Sequence, residues 1–230
     1  HTAYRRQRQM CIRDRNRMEI LVTGANRGIG AALLDGYAAL GIPAMGTSRD
    51  GAVGLKLDVT DPDSISELGR HYAERRLDLL VCNAAVFLDR GRSIEELAAE
   101  DWARTMAVNV TGVAETVRVL LPALRRSSGA KIAIISSQMA SQERARGGSY
   151  VYRASKAAVL NFGRNLAQDL RSEGIAVGTY HPGWVRTEMG GPDAELSGSE
   201  AAEGLIARFE ALDMSLTGCF ETWDGRDHPL

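Results

Sequence analysis

The sequence has too few cysteines for a disulfide framework: Cys11, Cys82 and Cys219 are odd in number, far apart, and include no CxxC pair. That excludes the stapled secreted folds and leads to the expectation of a reducing compartment, the cytoplasm. No apolar run approaches the roughly 18 residues that mark a transmembrane helix, and there is no secretory signal pattern, so no membrane is expected as a partner. Charge of one sign is lacking too. A net charge of −1 gives no global pull toward nucleic acid. His181 stands with no other His, Cys or carboxylate at ligand spacing, so it reads as a buried histidine and no metal is expected. There are no internal repeats, low-complexity segments or long linkers.

What is present suits one domain with a sizeable core: 230 residues, 44% hydrophobic and 25% charged. The charge is uneven, since residues 1–17 carry six arginines against one aspartate. This stretch has no apolar period and stops just before "MEILVTG", so it reads as a disordered, non-native extension produced by upstream translation, with the domain proper at 18–230.

Short continuous apolar runs alternate with amphipathic stretches. Strands are expected at "EILVTG", "PAMGTS", "GLKLDV", "LDLLVCN", "KIAIISS", "IAVGTYH" and "GCFETW". Helices are expected at 28–40, 62–75, 101–126, 150–172 and 199–211. Continuous rather than alternating runs are those of parallel strands covered on both faces. The β-α rhythm then predicts an α/β fold, a doubly wound parallel sheet with right-handed crossovers, whose ligands bind beyond the carboxyl ends of the strands.

The first strand ends in "TGANRGIG", Thr23 to Gly30, which leads straight into a helix. Gly24 allows the tight turn, Gly28 lets a phosphate approach the backbone, and Gly30 lets helix and strand pack closely. The amino end of the helix offers unpaired N–H groups to a pyrophosphate. Further on, "YVYRASK" places Tyr152 and Lys156 four apart on one helix face, whereas Tyr150 points away. A phenol ordinarily holds its proton to a pH of about 10; a nearby ammonium favours the phenolate. A solvated surface helix is the plain alternative for that stretch taken alone.

With "NAA" at 83–85, "NVTG" at 109–112, "ISS" at 135–137 and "PGWVRT" at 182–187, the chain resembles the short-chain dehydrogenase/reductase family over Met18 to about Met189, and within it the C-factor/sniffer-like carbonyl reductases. The resemblance implies a three-layer, seven-stranded Rossmann fold, a nicotinamide cofactor and carbonyl/alcohol chemistry. It makes Tyr152 the general acid/base, and has Lys156 lower the phenol's pKa and bind the nicotinamide ribose. Asn109 would fix a water joining Lys156 to solvent. A serine hydroxyl would hold the carbonyl oxygen. The customary serine position is Met139, so the role falls to Ser137, with Ser136 as the alternative; Tyr150 would line the cleft. The cofactor would lie along Gly24, Asn26, Arg27, Gly28, Ile29 and Gly30, with Asp58 and Val59 at the adenine. Asn83, Ala84 and Ala85 would stand at the sheet centre, and Pro182, Gly183, Val185 and Thr187 at the nicotinamide. Where a diol-binding carboxylate is customary the chain has Ser48, followed by Arg49. Arg49 and Arg27 would converge on a 2′-phosphate, so NADP(H) is expected over NAD(H), with Asp50 as the competing diol acceptor. A short segment after Thr187 implies a small lid and an open cleft. The "ASKAAVLNF" stretch, apolar nearly all round, implies a homodimer or homotetramer. A dinucleotide-binding regulator without turnover, or a C-factor-like signalling protein, is the alternative function.

Overall fold

A computed structural model of the chain describes residues 18–230; the reading of residues 1–17 as a disordered extension lies outside the described residues. Seven parallel strands form one sheet: β1 (Ile20–Val22), β2 (Ala44–Ser48), β3 (Leu55–Lys56), β4 (Leu79–Cys82), β5 (Lys131–Ile135), β6 (Ala176–His181) and β7 (Phe220–Thr222). Their order across the sheet is β3-β2-β1-β4-β5-β6-β7. All seven lie inside the runs read from the sequence, shortened at their ends. The helices are α1 (Gly28–Ala39), α2 (Pro62–His71), α3 (Ala99–Met106), α4 (Gly112–Leu124), α5 (Tyr150–Asp169) and α6 (Gly198–Ala211).

The two faces of the sheet carry separate cores, and the register shows why. In β1, Leu21 points into the layer with α2, α4 and α5, among Leu68, Val117, Leu120, Ile132 and Val159. Its neighbours Ile20 and Val22 point the other way, toward Leu33 and Tyr37 of α1 and Leu205 and Phe209 of α6. Strands buried on both faces need no polar alternation, which is why the apolar runs were legible. The order reverses between β1 and β4, whose pairing sets Val22 beside Val81. A crevice therefore opens beyond their carboxyl ends, where the glycine loop and "NAA" meet.

Two expectations are corrected. The helix expected over 101–126 begins at Ala99 and is interrupted by a π-helical turn, Ala107–Thr111, between α3 and α4. That continuous helix, Ala99–Leu124, is long and apolar enough by length and composition to cross a membrane, contrary to the count of uninterrupted runs. Here Val113, Val117, Leu120 and Leu124 are buried against the sheet instead. In α5, residues 154–162 are buried or half-buried except Asn161, and the exposed polar residues Arg164 and Asn165 follow that stretch.

Candidate active site

The glycine loop is shaped by close backbone approach. Gly24 has φ +64°, and a Cβ there would stand 2.8 Å from the Ala84 Cα; at Gly30 it would stand 2.3 Å from the Gly24 carbonyl oxygen. Neither position tolerates a side chain. Asn83 stitches the loop to β4, its Nδ2 donating to the carbonyls of Thr23 and Gly24 at 3.0 Å each. Thr23 Oγ1 accepts from the amides of Asn83 and Ala84 at 3.0 and 3.1 Å. The amino end of α1 has no side-chain cap and no acidic residue in its first turn. A Cβ at Gly28 would stand 3.4 Å from the Thr187 methyl, so the segment after β6 closes on this end of the helix. Such an end takes an anion, so the chain's own residues fit a dinucleotide.

Arg49 stands at the carboxyl end of β2 and Arg27 at the turn before α1. Arg27, exposed at the turn, pairs with Glu188 across the crevice, because its extended backbone at the start of α1 aims the side chain at the segment after β6. Arg49 stands exposed with Asp50 and Asp58 as its charged neighbours. The Asp50 carboxylate is already held by the Ser48 hydroxyl at 2.7 Å and the Ala52 amide at 3.0 Å. Asp58 likewise accepts from the Thr60 amide and hydroxyl, at 2.9 and 2.7 Å.

Four side chains meet where β5 ends and α5 begins. Tyr152 is 7% exposed; its phenol hydrogen-bonds with the Ser137 side chain. Ser136 does not compete, since its Oγ donates to the Lys156 carbonyl at 3.0 Å. The Lys156 Nζ lies 5.7 Å from the centre of the Tyr152 ring and donates to the Ile135 carbonyl at 2.9 Å. Asn109 is buried in the π-helical turn, a distortion that often accompanies functional positions. Its amide clamps Val86 at both backbone groups, at 2.8 and 2.9 Å, and donates to Ser155 Oγ at 3.0 Å. Asn109 thus ties the π-helical turn to the loop after β4. Ser155 Oγ in turn donates to the Tyr152 carbonyl at 2.8 Å.

That loop, 83–90, carries residues that the sequence reading missed. Asp89, 1% exposed, accepts from the Val151 amide at 2.8 Å and the Tyr152 amide at 3.3 Å. It caps α5 from 62 residues away, where the local candidate Ser149 is left-handed at φ 50° and makes no cap bond. Phe87 stacks on the Tyr152 ring, centroids 4.1 Å apart and planes 16° apart. The Arg90 guanidinium lies 4.9 Å from the Phe87 centroid and donates to the Met189 carbonyl. With Arg27–Glu188 this bridges the mouth twice, so the cleft expected to be open is spanned. Tyr150 stands 39% exposed at the first position of α5.

The electrostatics also depart from expectation. Burial pushes the Tyr152 phenol up to about 12, with Asp89 adding to the rise; the Ser137 hydrogen bond and the Arg90 charge oppose it. Burial pushes Lys156 down to about 8. The ammonium therefore does not pull the phenol down within the protein alone, because the same desolvation weakens both charged forms. Between about pH 8 and 10.5 the unfolded chain holds a proton on Lys156 that the native chain has lost. Stability contributed at this site rises with pH across that window, by at most about 3 kcal/mol, until the phenol reverses the trend above about pH 10. Urea unfolding at pH 8, 9 and 10 should show the native protein gaining on Lys156→Met; a constant gap would mean that the amine is not desolvated. His181, beside His228 with ring centroids 5.7 Å apart, is pushed down to about 3, chiefly by burial, and stays neutral.

The short chain dehydrogenase family profile matches residues 18–196. The chain belongs to the short-chain dehydrogenase/reductase family. It is 34% identical to the C-signal protein of Myxococcus xanthus over 154 residues, 66% of this chain and 92% of that one, which agrees with a C-factor/sniffer-like placement. It is 34% identical to the 3-oxoacyl-[acyl-carrier-protein] reductase FabG of Escherichia coli strain K12 over 206 residues, 83% of this chain and 81% of that one. Among solved structures, an NADPH-bound carbonyl reductase from chicken fatty liver superposes with a TM-score of 0.85 at 28% identity, covering 94% of this chain and all of that one. As a short-chain dehydrogenase/reductase the chain is an oxidoreductase on a Rossmann fold, and the crevice between β1 and β4 is where that fold takes its dinucleotide.

Proposed function

We propose that the protein is an NADP(H)-dependent carbonyl reductase, working in either direction between an aldehyde or ketone and its alcohol. The observation that carries this reading is the buried meeting of the Tyr152 phenol, the Ser137 hydroxyl and the Lys156 ammonium at the end of β5. When bound at the crevice, a reduced nicotinamide cofactor supplies the hydride. The chain does the rest. Ser137 holds the carbonyl oxygen, and the phenol donates its proton to that oxygen as negative charge develops there. A phenol held near 12 is protonated at neutral pH, which suits it to the acid's part in reduction. Lys156 and Tyr152 would hold the ribose, Val185 and Thr187 the carboxamide, and the amino end of α1 the pyrophosphate. Oxidation of added NADPH by a panel of aldehydes, ketones and quinones is the test; binding of NADPH without turnover would favour the regulatory reading that the likeness to C-signal keeps in view.

NADP(H) is the preferred cofactor on this reading because the end of β2 presents a guanidinium and no free carboxylate. The NADPH-bound carbonyl reductase among the structural neighbours supports it. Since Arg27 is engaged by Glu188, the 2′-phosphate falls to Arg49 alone. Arg49→Ala should weaken NADPH binding roughly tenfold or more, the scale of one charge-assisted contact at about 1.5–3 kcal/mol, and leave NADH nearly unchanged. Equal losses for the two cofactors, measured by fluorescence titration, would remove the phosphate site from Arg49.

A further inference from the structure

Tyr152, Phe87 and Arg90 form a three-layer stack at the mouth of the cleft: phenol, phenyl, guanidinium. The outermost layer is a cation with unusual freedom. Arginine carries five N–H donors; among the described residues, the contacts of Arg90 are one hydrogen bond to the Met189 carbonyl and its face on the Phe87 ring. None of the ion pairs among those residues includes Arg90. The carboxylates adjoining Arg90 and its partner Met189 in sequence are engaged elsewhere. Asp89 turns inward to the amides of α5, and Glu188, beside Met189, pairs with Arg27. Burial forces Asp89 inward while its neighbour projects out, so the capping of α5 also fixes where Arg90 begins. In the segment that supplies the Met189 carbonyl, two apolar side chains are exposed, Trp184 at 47% and Met189 at 37%, and the Trp184 indole is held in place by donating to the Gly190 carbonyl at 2.8 Å.

We propose that Arg90 is the receptor for a carboxylate on the substrate, so that the protein acts on carbonyl compounds that also carry an acid group. This rests on the carbonyl-reductase reading of the same site. A substrate whose carbonyl oxygen reaches Ser137 and Tyr152 lays its body along the Phe87 edge and the apolar rim, and its far end arrives at the guanidinium. There the planar fork matches a carboxylate in two hydrogen bonds. The stack bounds the length as well: with 4.1 Å from the phenol ring to the Phe87 ring and 4.9 Å from there to the guanidinium, the acid is received within roughly 9 Å of the Tyr152 ring centre.

Two measurements test this. In the first, 4-carboxybenzaldehyde and its neutral counterpart 4-formylbenzamide are compared as substrates with NADPH. The native protein should prefer the acid in kcat/KM by at least ~10-fold, and Arg90→Gln should bring that ratio close to one. A purely structural role for Arg90 would lower both activities and keep the ratio, which overturns the proposal, as does a native ratio near one. In the second, benzoate and benzamide are titrated calorimetrically into the NADP-saturated protein. Benzoate should bind more tightly, and Arg90→Gln should weaken it ~10-fold or more. Such binding with no turnover of either aldehyde would uphold the carboxylate site and remove the reductase reading. Turnover of both aldehydes without an acid preference would do the reverse.

Discussion

Tyr152→Phe should reduce NADPH-dependent carbonyl turnover by at least ~10², the usual scale for loss of a general acid, while NADPH affinity falls far less, by the one contact the phenol makes to the ribose. The substitution is clean in this setting. The Phe87 stack needs only the ring, which phenylalanine keeps, and the amide of residue 152 still bonds to Asp89. What disappears is the hydroxyl that meets Ser137. Ser137→Ala should cost less, because the phenol can still hold and protonate the oxygen by itself. Tyr150→Phe is the control, its side chain exposed one turn short of the Lys156 face. Single-turnover rates with saturating NADPH decide the matter. If Tyr152→Phe kept half of the native rate while Tyr150→Phe lost it, the acid would be the wrong tyrosine.

Asp89→Ala should be the most damaging change outside the reacting groups, in both stability and rate. The carboxylate is buried and takes the first free amides of α5; removing it strands two buried N–H groups, each costing about 1–3 kcal/mol, where a cap alone is worth about 0.5–2. The favourable placement of a negative charge at a helix amino end is lost as well, at about 0.3–1 kcal/mol. The relief of desolvation returns part of this, so a net loss of about 2–3 kcal/mol is expected. For a domain of this size that lowers Tm by roughly 5–10 °C. Turnover should drop about tenfold further, because Tyr152 sits in the turn that frays. Asp89→Asn keeps one acceptor oxygen and should recover most of both. Scanning calorimetry and kcat on the three proteins test this. Native-like Tm in Asp89→Ala would show that Ser149 or water can cap the helix unaided.

The two predictions differ in how legible their residues were. Tyr152 and Lys156 announce themselves because helical spacing is written in the sequence, and the strands do so because burial on both faces leaves continuous apolar runs. The glycine loop is legible for the same local reason: strand, turn and helix follow one another directly. Asp89, Phe87 and Arg90 give no such signal. They lie on a loop without periodicity, and their partners Val151, Tyr152 and Met189 are brought near only by the folded sheet. The pairing of Arg27 was equally hidden, its partner Glu188 being 161 residues distant. The choice between the serines needed only the direction of two hydroxyls, which strand alternation leaves open at the frayed end of β5. For the phenol and amine, spacing reveals proximity but not the shared loss of solvent.

The wider turn at Ala107–Thr111 divides one helix between two neighbours. A residue inserted into an α-helix rotates everything after it by about 100°, and the wide turn absorbs that rotation in place. Ahead of it, α3 faces the loop system, where Asp101 pairs with Arg92 at 2.9 Å. After it, α4 faces the sheet through Val117, Leu120 and Leu124. Asn109 sits at the joint, reaching Val86 and Ser155. The two halves are therefore geared separately: a single-residue deletion within 107–111 would leave each half a sound helix yet swing Asp101 out of phase with Arg92, uncoupling the substrate side of the molecule from its scaffold without unfolding either.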